Sequence, residues 1–88
     1  MGIKTTRLVL SNSTRSAMRL DLEPWGEQIS MSPGLCCELN VRGPDDGYLE
    51  MELGDGVVTT YAWSGSTMSV TVDGATVRDC KVPVPRYP

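Results

Sequence analysis

The sequence predicts an all-β fold, a small antiparallel β-sandwich of seven or eight short strands, with a barrel as the alternative. Three observations lead there. Apolar and polar residues alternate with period two in at least four segments, which is the signature of a half-buried strand. No window fits the i, i+3, i+4, i+7 template of an amphipathic helix as well. Turn-forming residues punctuate the chain every ~8–12 residues, the spacing of a sandwich or barrel.

The elements follow in order, near residues 3–11, 16–23, 27–32, 35–42, 48–53, 57–63, 67–73 and 75–82. Residues 3–11 place Leu8 and Leu10 on one face. Met18, Leu20 and Leu22 alternate with Arg19, Asp21 and Glu23, and Ile29 and Met31 share a face of the next segment. Leu35, Cys37, Leu39 and Val41 alternate with Cys36, Glu38, Asn40 and Arg42. Leu49, Met51 and Leu53 alternate with Glu50 and Glu52, and Met68, Val70 and Val72 with Ser69, Thr71 and Asp73. These apolar sets are the expected core. Segment 57–63 is ambiguous: Val57, Thr59, Tyr61 and Trp63 lie on one face, and Val58, Thr60 and Ala62 on the other.

The breaks carry their own chemistry. Asp55-Gly56 and Asp73-Gly74 are hairpin pairs suited to a type I′ turn, which needs positive φ. Ser32-Pro33-Gly34 reads as a type II turn. Pro24-Trp25-Gly26, Gly43-Pro44-Asp45-Asp46-Gly47 and Ser64-Gly65-Ser66 are further breaks. Most connections are short, so neighbours in sequence are expected to be antiparallel neighbours in space. Residues 1–82 form a single domain, and the Pro-rich tail 83–88 is expected to be an edge or an extended end, since proline cannot donate to a central ladder. Pro85-Arg86-Tyr87-Pro88 formally matches PxxP.

Composition narrows the function. A chain of 88 residues buries only about 60% of its unfolded surface, so its core is thin and holds a cofactor cleft poorly. Histidine is absent, which removes the usual general base and the commonest transition-metal ligand. A net charge of −3 opposes nucleic-acid binding, which needs a basic face. No run approaches the ~18 apolar residues of a membrane span, and the opening MGIKTTRLVL lacks a signal-peptide core. The three cysteines, Cys36, Cys37 and Cys80, make a poor disulfide framework. The expected compartment is a reducing cytoplasm.

The charge is uneven. Residues 1–20 carry four basic groups and no acidic ones, while residues 21–55 carry nine acidic groups and only Arg42. Basic first strands are expected to pair with acidic ones across the ladder. The sharper reading is an acidic face for a basic partner.

No catalytic constellation stands out. The carboxylates Glu23, Glu27, Glu50, Glu52, Asp45, Asp46 and Asp55 fall on outer faces or loop tips, where water keeps them ionised, rather than as a desolvated acid/base pair. Asp45-Asp46-Gly47 lacks the full calcium-loop spacing. Cys36 and Cys37 point to opposite faces of a strand, which opposes a three-thiolate metal site. Asn12-Ser13-Thr14 matches a glycosylation acceptor but reads better as a short polar turn. No catalytic residue, metal or cofactor is expected, and the chain is read as a non-enzyme.

The candidate binding residues are Trp25, Glu27, Glu23, Tyr61 and Trp63. Glu23-Pro24-Trp25-Gly26-Glu27 sets a tryptophan in a turn between two carboxylates. An exposed tryptophan there can anchor a partner or stack on a sugar. The plainer reading is that Trp25 folds back and caps one end of the core.

The stretch from Asn12-Ser13-Thr14 through Leu22-Glu23-Pro24-Trp25-Gly26-Glu27 to Ser32-Pro33-Gly34 resembles the first half of immunoglobulin-like domains of the pilus-chaperone and ASH type. More closely, it is similar to small bacterial proteins sharing an L-E-P-W-G-E core followed by a Pro-Gly turn. The resemblance covers residues 8–42. It implies a bacterial source and a small sandwich that works by binding, but no activity. A chain this short lacks the second domain of a pilus chaperone, so no chaperone residues carry over.

The function expected from the sequence is therefore a protein-interaction module acting through a sheet edge or an aromatic-acidic surface. Self-association, including a homodimer, is part of that expectation, because a thin core gains from burying a further face. A carbohydrate-binding module, and an inhibitor or immunity-type protein for a basic partner, are the alternatives.

Overall fold

Eight strands form close to where the alternation places them. The computed structural model describes residues 2–86. The strands are β1 (Ile3–Ser11), β2 (Met18–Glu23), β3 (Glu27–Met31), β4 (Cys36–Pro44), β5 (Glu50–Gly54), β6 (Val57–Tyr61), β7 (Thr67–Val72) and β8 (Ala75–Cys80). No helix occurs among the described residues.

The strands build two four-stranded sheets, ordered β1-β4-β7-β8 and β3-β2-β6-β5. The sheets stack as a sandwich and do not close into a barrel, so four edge strands remain: β1, β8, β3 and β5. The expectation that sequence neighbours pair holds for three hairpins, β2–β3, β5–β6 and β7–β8. It fails elsewhere. β1 pairs with β4 and β4 with β7, and the central pair β2–β6 is parallel, with Leu20 beside Val58 and Leu22 beside Thr60. The physical reason is the layering. The chain crosses between sheets after β1, β3, β4 and β6, so strands that follow each other often lie in opposite layers.

The core sits between the layers. Leu20, Leu22, Ile29 and Met31 of one sheet meet Cys37, Leu39, Val41, Met68 and Val70 of the other, and all are buried. Leu8, Leu10, Met18, Leu35, Leu49 and Val72 pack against this cluster but stay partly open. Within β6, Val58 and Thr60 face inward, and the Thr60 hydroxyl donates to Asp21 O at 3.1 Å. Two expected core residues are not core. Met51 is 39% exposed and Leu53 78% exposed. Their register partners Thr60 and Val58 are buried, so both carry core-facing parity. They lie on an edge strand with too little of the opposite sheet above them.

The turns divide likewise. Asp73 and Gly74 both take positive φ, 51° and 79°, as a type I′ hairpin requires. At Asp55-Gly56 only the glycine does, at 71°, so the expected type I′ geometry is absent there. At Ser32-Pro33-Gly34 the Leu35 amide donates to Ser32 O at 3.0 Å, closing the expected turn.

Each end of the sandwich is tied. At one end Asn12 is buried, and its Nδ2 donates to Ser16 O and Met31 O at 2.9 and 2.8 Å. Its Oδ1 accepts from the Thr14 amide and hydroxyl, an Asx-turn arrangement. That engagement fits the polar-turn reading and leaves no accessible amide for a glycan. At the other end, Val82–Arg86 runs back across the body. Val84 N donates to Ser66 O at 2.9 Å, and Gly65 N donates to Val84 O at 2.7 Å. Arg86 meets Asp46 at 3.3 Å. The final residues of the PxxP match, Tyr87 and Pro88, lie outside the described residues.

Candidate interaction surface

The outer face of the β3-β2-β6-β5 sheet carries the strongest charge pattern. Register aligns Glu23, Tyr61 and Glu50 in one row across β2, β6 and β5. Asp21, Thr59 and Glu52 form the next row. Side chains at matched register share a face of the pleat, so four carboxylates surround Tyr61 and Thr59. Asp21 is held by Arg19, whose Nε and Nη2 donate to its two oxygens at 2.7 and 3.0 Å. Glu23, Glu50 and Glu52 have no ion-pair partner among the described residues.

Tyr61 reports that field. Its phenol is pushed above its ordinary value of 10.0, first by Glu52, then by partial burial, then by Glu23, Asp21 and Glu50. Negative neighbours disfavour a phenolate. The expected outcome is that Glu52→Gln lowers the Tyr61 titration point, read from its ring carbon resonance by NMR. A raised folded value means that the native state holds its proton longer. This contribution to stability is therefore whole below the unfolded value and is lost as pH rises through the folded one.

Beside Tyr61 runs a shallow groove of about 370 Å³, lined by Tyr48, Glu50, Tyr61 and Val84 among others. Tyr48 is 68% exposed. This groove meets the open edge of β5, where every residue is exposed.

The five candidate residues read from the sequence do not form one site. Glu23 and Tyr61 do come together, as register partners. Trp25 is half-buried at the end of the sandwich, where its Nε1 donates to Val82 O at 2.7 Å. With Pro24 and residues 82–85 it lines a separate groove of about 340 Å³. Glu27 belongs to the β3–β8 side, 3.9 Å from Arg78. Trp63 is buried, and its Nε1 donates to Pro44 O at 2.8 Å. β6 ends at Tyr61 and the chain then turns, with Ser66 N donating to Trp63 O, so Trp63 leaves the face that parity assigned it. Gly47 lets the indole approach, because a Cβ there would overlap the Trp63 ring.

Sequence reasoning missed Asp21, Glu50 and Glu52 as neighbours of Tyr61. Their outward parity was legible. The parallel β2–β6 pairing that joins them was not, because nothing local encodes it.

Cys36 is exposed and Cys37 buried, as their parity implies; Cys80 is also buried, and all three are free. Burial pushes the Cys37 and Cys80 thiols up, which keeps them protonated and unreactive. No group of three or more His, Cys, Asp or Glu side chains that could hold a metal occurs among the described residues. The expected cross-strand charge pairing is present at Arg7–Glu38, a two-bond contact at 2.7 and 3.0 Å between β1 and β4. Arg7 and Asn40 together pull the Glu38 carboxyl below its ordinary range. Comparison with protein-family models, curated proteins and solved structures finds no match to this chain.

Proposed function

We propose that this protein is a non-enzymatic interaction module whose contact surface is the open β5 edge together with the acidic face around Tyr61. One observation carries the reading: β5 is exposed along its whole length while Met51 and Leu53 hold core-facing positions. An edge strand presents unpaired amides and carbonyls that template another strand. Native sheets blunt such edges with lysine, proline or bulges. β5 (Glu50–Gly54) has no lysine, proline or bulge, and its register with β6 is regular. Strand addition would place an incoming chain's apolar side chains over Met51 and Leu53, and its basic side chains beside Glu50 and Glu52.

The test is an amide NMR titration with a synthetic peptide of alternating lysine and valine, at protein concentrations low enough to avoid self-contact. The largest shifts are expected at residues 50–54 and at Tyr61, weakening with salt, and Leu53→Lys removes them. Shifts centred on Trp25, or none at all, would remove β5 from the reading.

The groove shared by Tyr48, Tyr61 and Glu50 favours a second reading, a carbohydrate-binding module, because two accessible phenol rings beside a hydrogen-bonding carboxylate suit a sugar face. Glycan-induced shifts confined to those residues would support it. An inhibitor-type role would use the same acidic face on a basic folded partner. The bacterial source and the immunoglobulin-like kinship implied by the L-E-P-W-G-E stretch belong to this proposal, as does a reducing cytoplasm, which suits buried protonated thiols.

A further inference from the structure

The two open sides of the sandwich differ. On one side Arg78 of β8 donates to Gln28 O of β3 at 3.0 Å and lies 3.9 Å from Glu27. That side chain bridges the layers, so β8 and β3 share one flank and β1 and β5 share the other. The β1/β5 flank has apolar groups instead. Met51 and Leu53 are exposed at core-facing positions on β5, and Leu8 and Leu10 are only partly buried at the matching positions on β1.

We propose that this flank is covered by a second copy of the chain, with β5 of each copy laid against β1 of the other. The inference rests on the β5-edge reading and names its partner. Symmetry and charge select the arrangement. β1 and β3 end together at the Asn12 knot, and β5 runs alongside β3 in direction, since each is antiparallel to β2 or β6 and those two are parallel. β1 and β5 therefore run the same way.

Two closed dimers fit such a flank. A two-fold axis perpendicular to the sheets pairs like with like, β5 against β5 and β1 against β1, antiparallel. A two-fold axis along the strands pairs β5 with β1 twice, parallel. The first sets Glu50 and Glu52 against a second Glu50 and Glu52 that have no cation nearby. It also sets Arg7 against Arg7. The second brings the carboxylates of β5 to β1, whose outer face carries Arg7, shared with Glu38, and no acid of its own, with the exposed Arg42 of β4 in the next row; Lys4 points inward over Trp63. Parallel ladders are only slightly weaker per residue, so the charges decide. Parity agrees: Arg7 shares the outer face with Glu50 and Glu52, while Leu8 and Leu10 share the inner face with Met51 and Leu53. Each layer becomes a continuous eight-stranded sheet, and the flank opposite the Arg78 bridge is covered.

Sedimentation of the full chain across a concentration series tests this. The expected result is a reversible monomer–dimer equilibrium that weakens with salt. Leu53→Lys is expected to raise the dissociation constant by roughly tenfold or more. Joint replacement Glu50→Gln and Glu52→Gln gives the deciding sign: it weakens the β5–β1 dimer, whereas it would tighten a β5–β5 dimer. These side chains are exposed, and circular dichroism verifies that each variant is folded. A monomer at every concentration, or a tighter neutralised variant, would overturn the proposed dimer. In the monomer case the peptide titration above still decides the edge reading alone. A dimer indifferent to Leu53→Lys would overturn both.

Discussion

Replacing Trp63 with alanine is expected to cost about 3–5 kcal/mol of unfolding free energy, the range for emptying a buried large aromatic site. The indole is 8% exposed and joins the continuous core. It fills the end of the sandwich where β6 leaves one sheet for the other. Gly43 and Gly47 are cut back around it, and Lys4 lies over its ring at 5.4 Å from the centroid. Truncation leaves a cavity that these backbones cannot collapse into, and it removes the shorter of the two hydrogen bonds to Pro44 O, leaving the Gly47 amide at 3.4 Å. The total stability of a domain this size is about 5–15 kcal/mol, so the variant is expected at the margin of folding. Urea unfolding followed by circular dichroism measures it. Trp63→Phe keeps most of the ring volume and loses the N–H, so its smaller cost, about 0.5–1.5 kcal/mol, isolates the lost hydrogen bond to Pro44 O. An alanine variant within about 1 kcal/mol of wild type would mean that Trp63 is a surface anchor after all, and would return it to the binding site.

The second large effect is expected at Asn12. Its side chain ties the β1–β2 loop, residues 12–17, to the end of β3 through four hydrogen bonds. Asn12→Ala removes two donors from buried or half-buried carbonyls and the acceptor of the Thr14 amide, a loss of about 2–3 kcal/mol. Asn12→Asp is the sharper experiment. The introduced carboxylate would face Ser16 O and Met31 O, where the amide donated. Those oxygens and burial favour its protonated form, so its folded pKa rises above the unfolded value. Its native state then binds the extra proton, and stability falls as pH rises through that window. The Glu38 carboxyl, pulled down by Arg7, acts in the opposite sense, since its contribution is present at neutral pH and lost as pH falls through its folded value. Unfolding midpoints compared at acid and neutral pH separate the two. Equal destabilisation at both would show that the introduced charge never matters there.

Much of this architecture was legible along the chain, and the places where legibility failed have a common cause. Leu20, Leu22, Leu39, Val41, Met68 and Val70 are buried as their alternation requires, because neighbouring side chains in an extended strand must point to opposite faces. Met51 and Leu53 obey the same rule and are nevertheless wet. Alternation assigns a side chain to a face and says nothing about whether another layer reaches over it. Trp63 shows the converse. It lies two residues beyond Tyr61 yet parts from it, because the strand stops and the period stops with it.

The amino-acid order by itself determined the all-β class, the approximate limits of eight strands, the places of the turns and the faces of most side chains. These depend on backbone geometry over a few residues. The tertiary structure decided that β2 lies parallel to β6, that β5 is an edge, and that Asp21, Glu23, Glu50 and Glu52 gather around Tyr61. Strand partnership is settled by the simultaneous packing of two layers, in which residues ~30–40 positions apart become neighbours once loop closure is offset by shared burial. No local pattern carries that information.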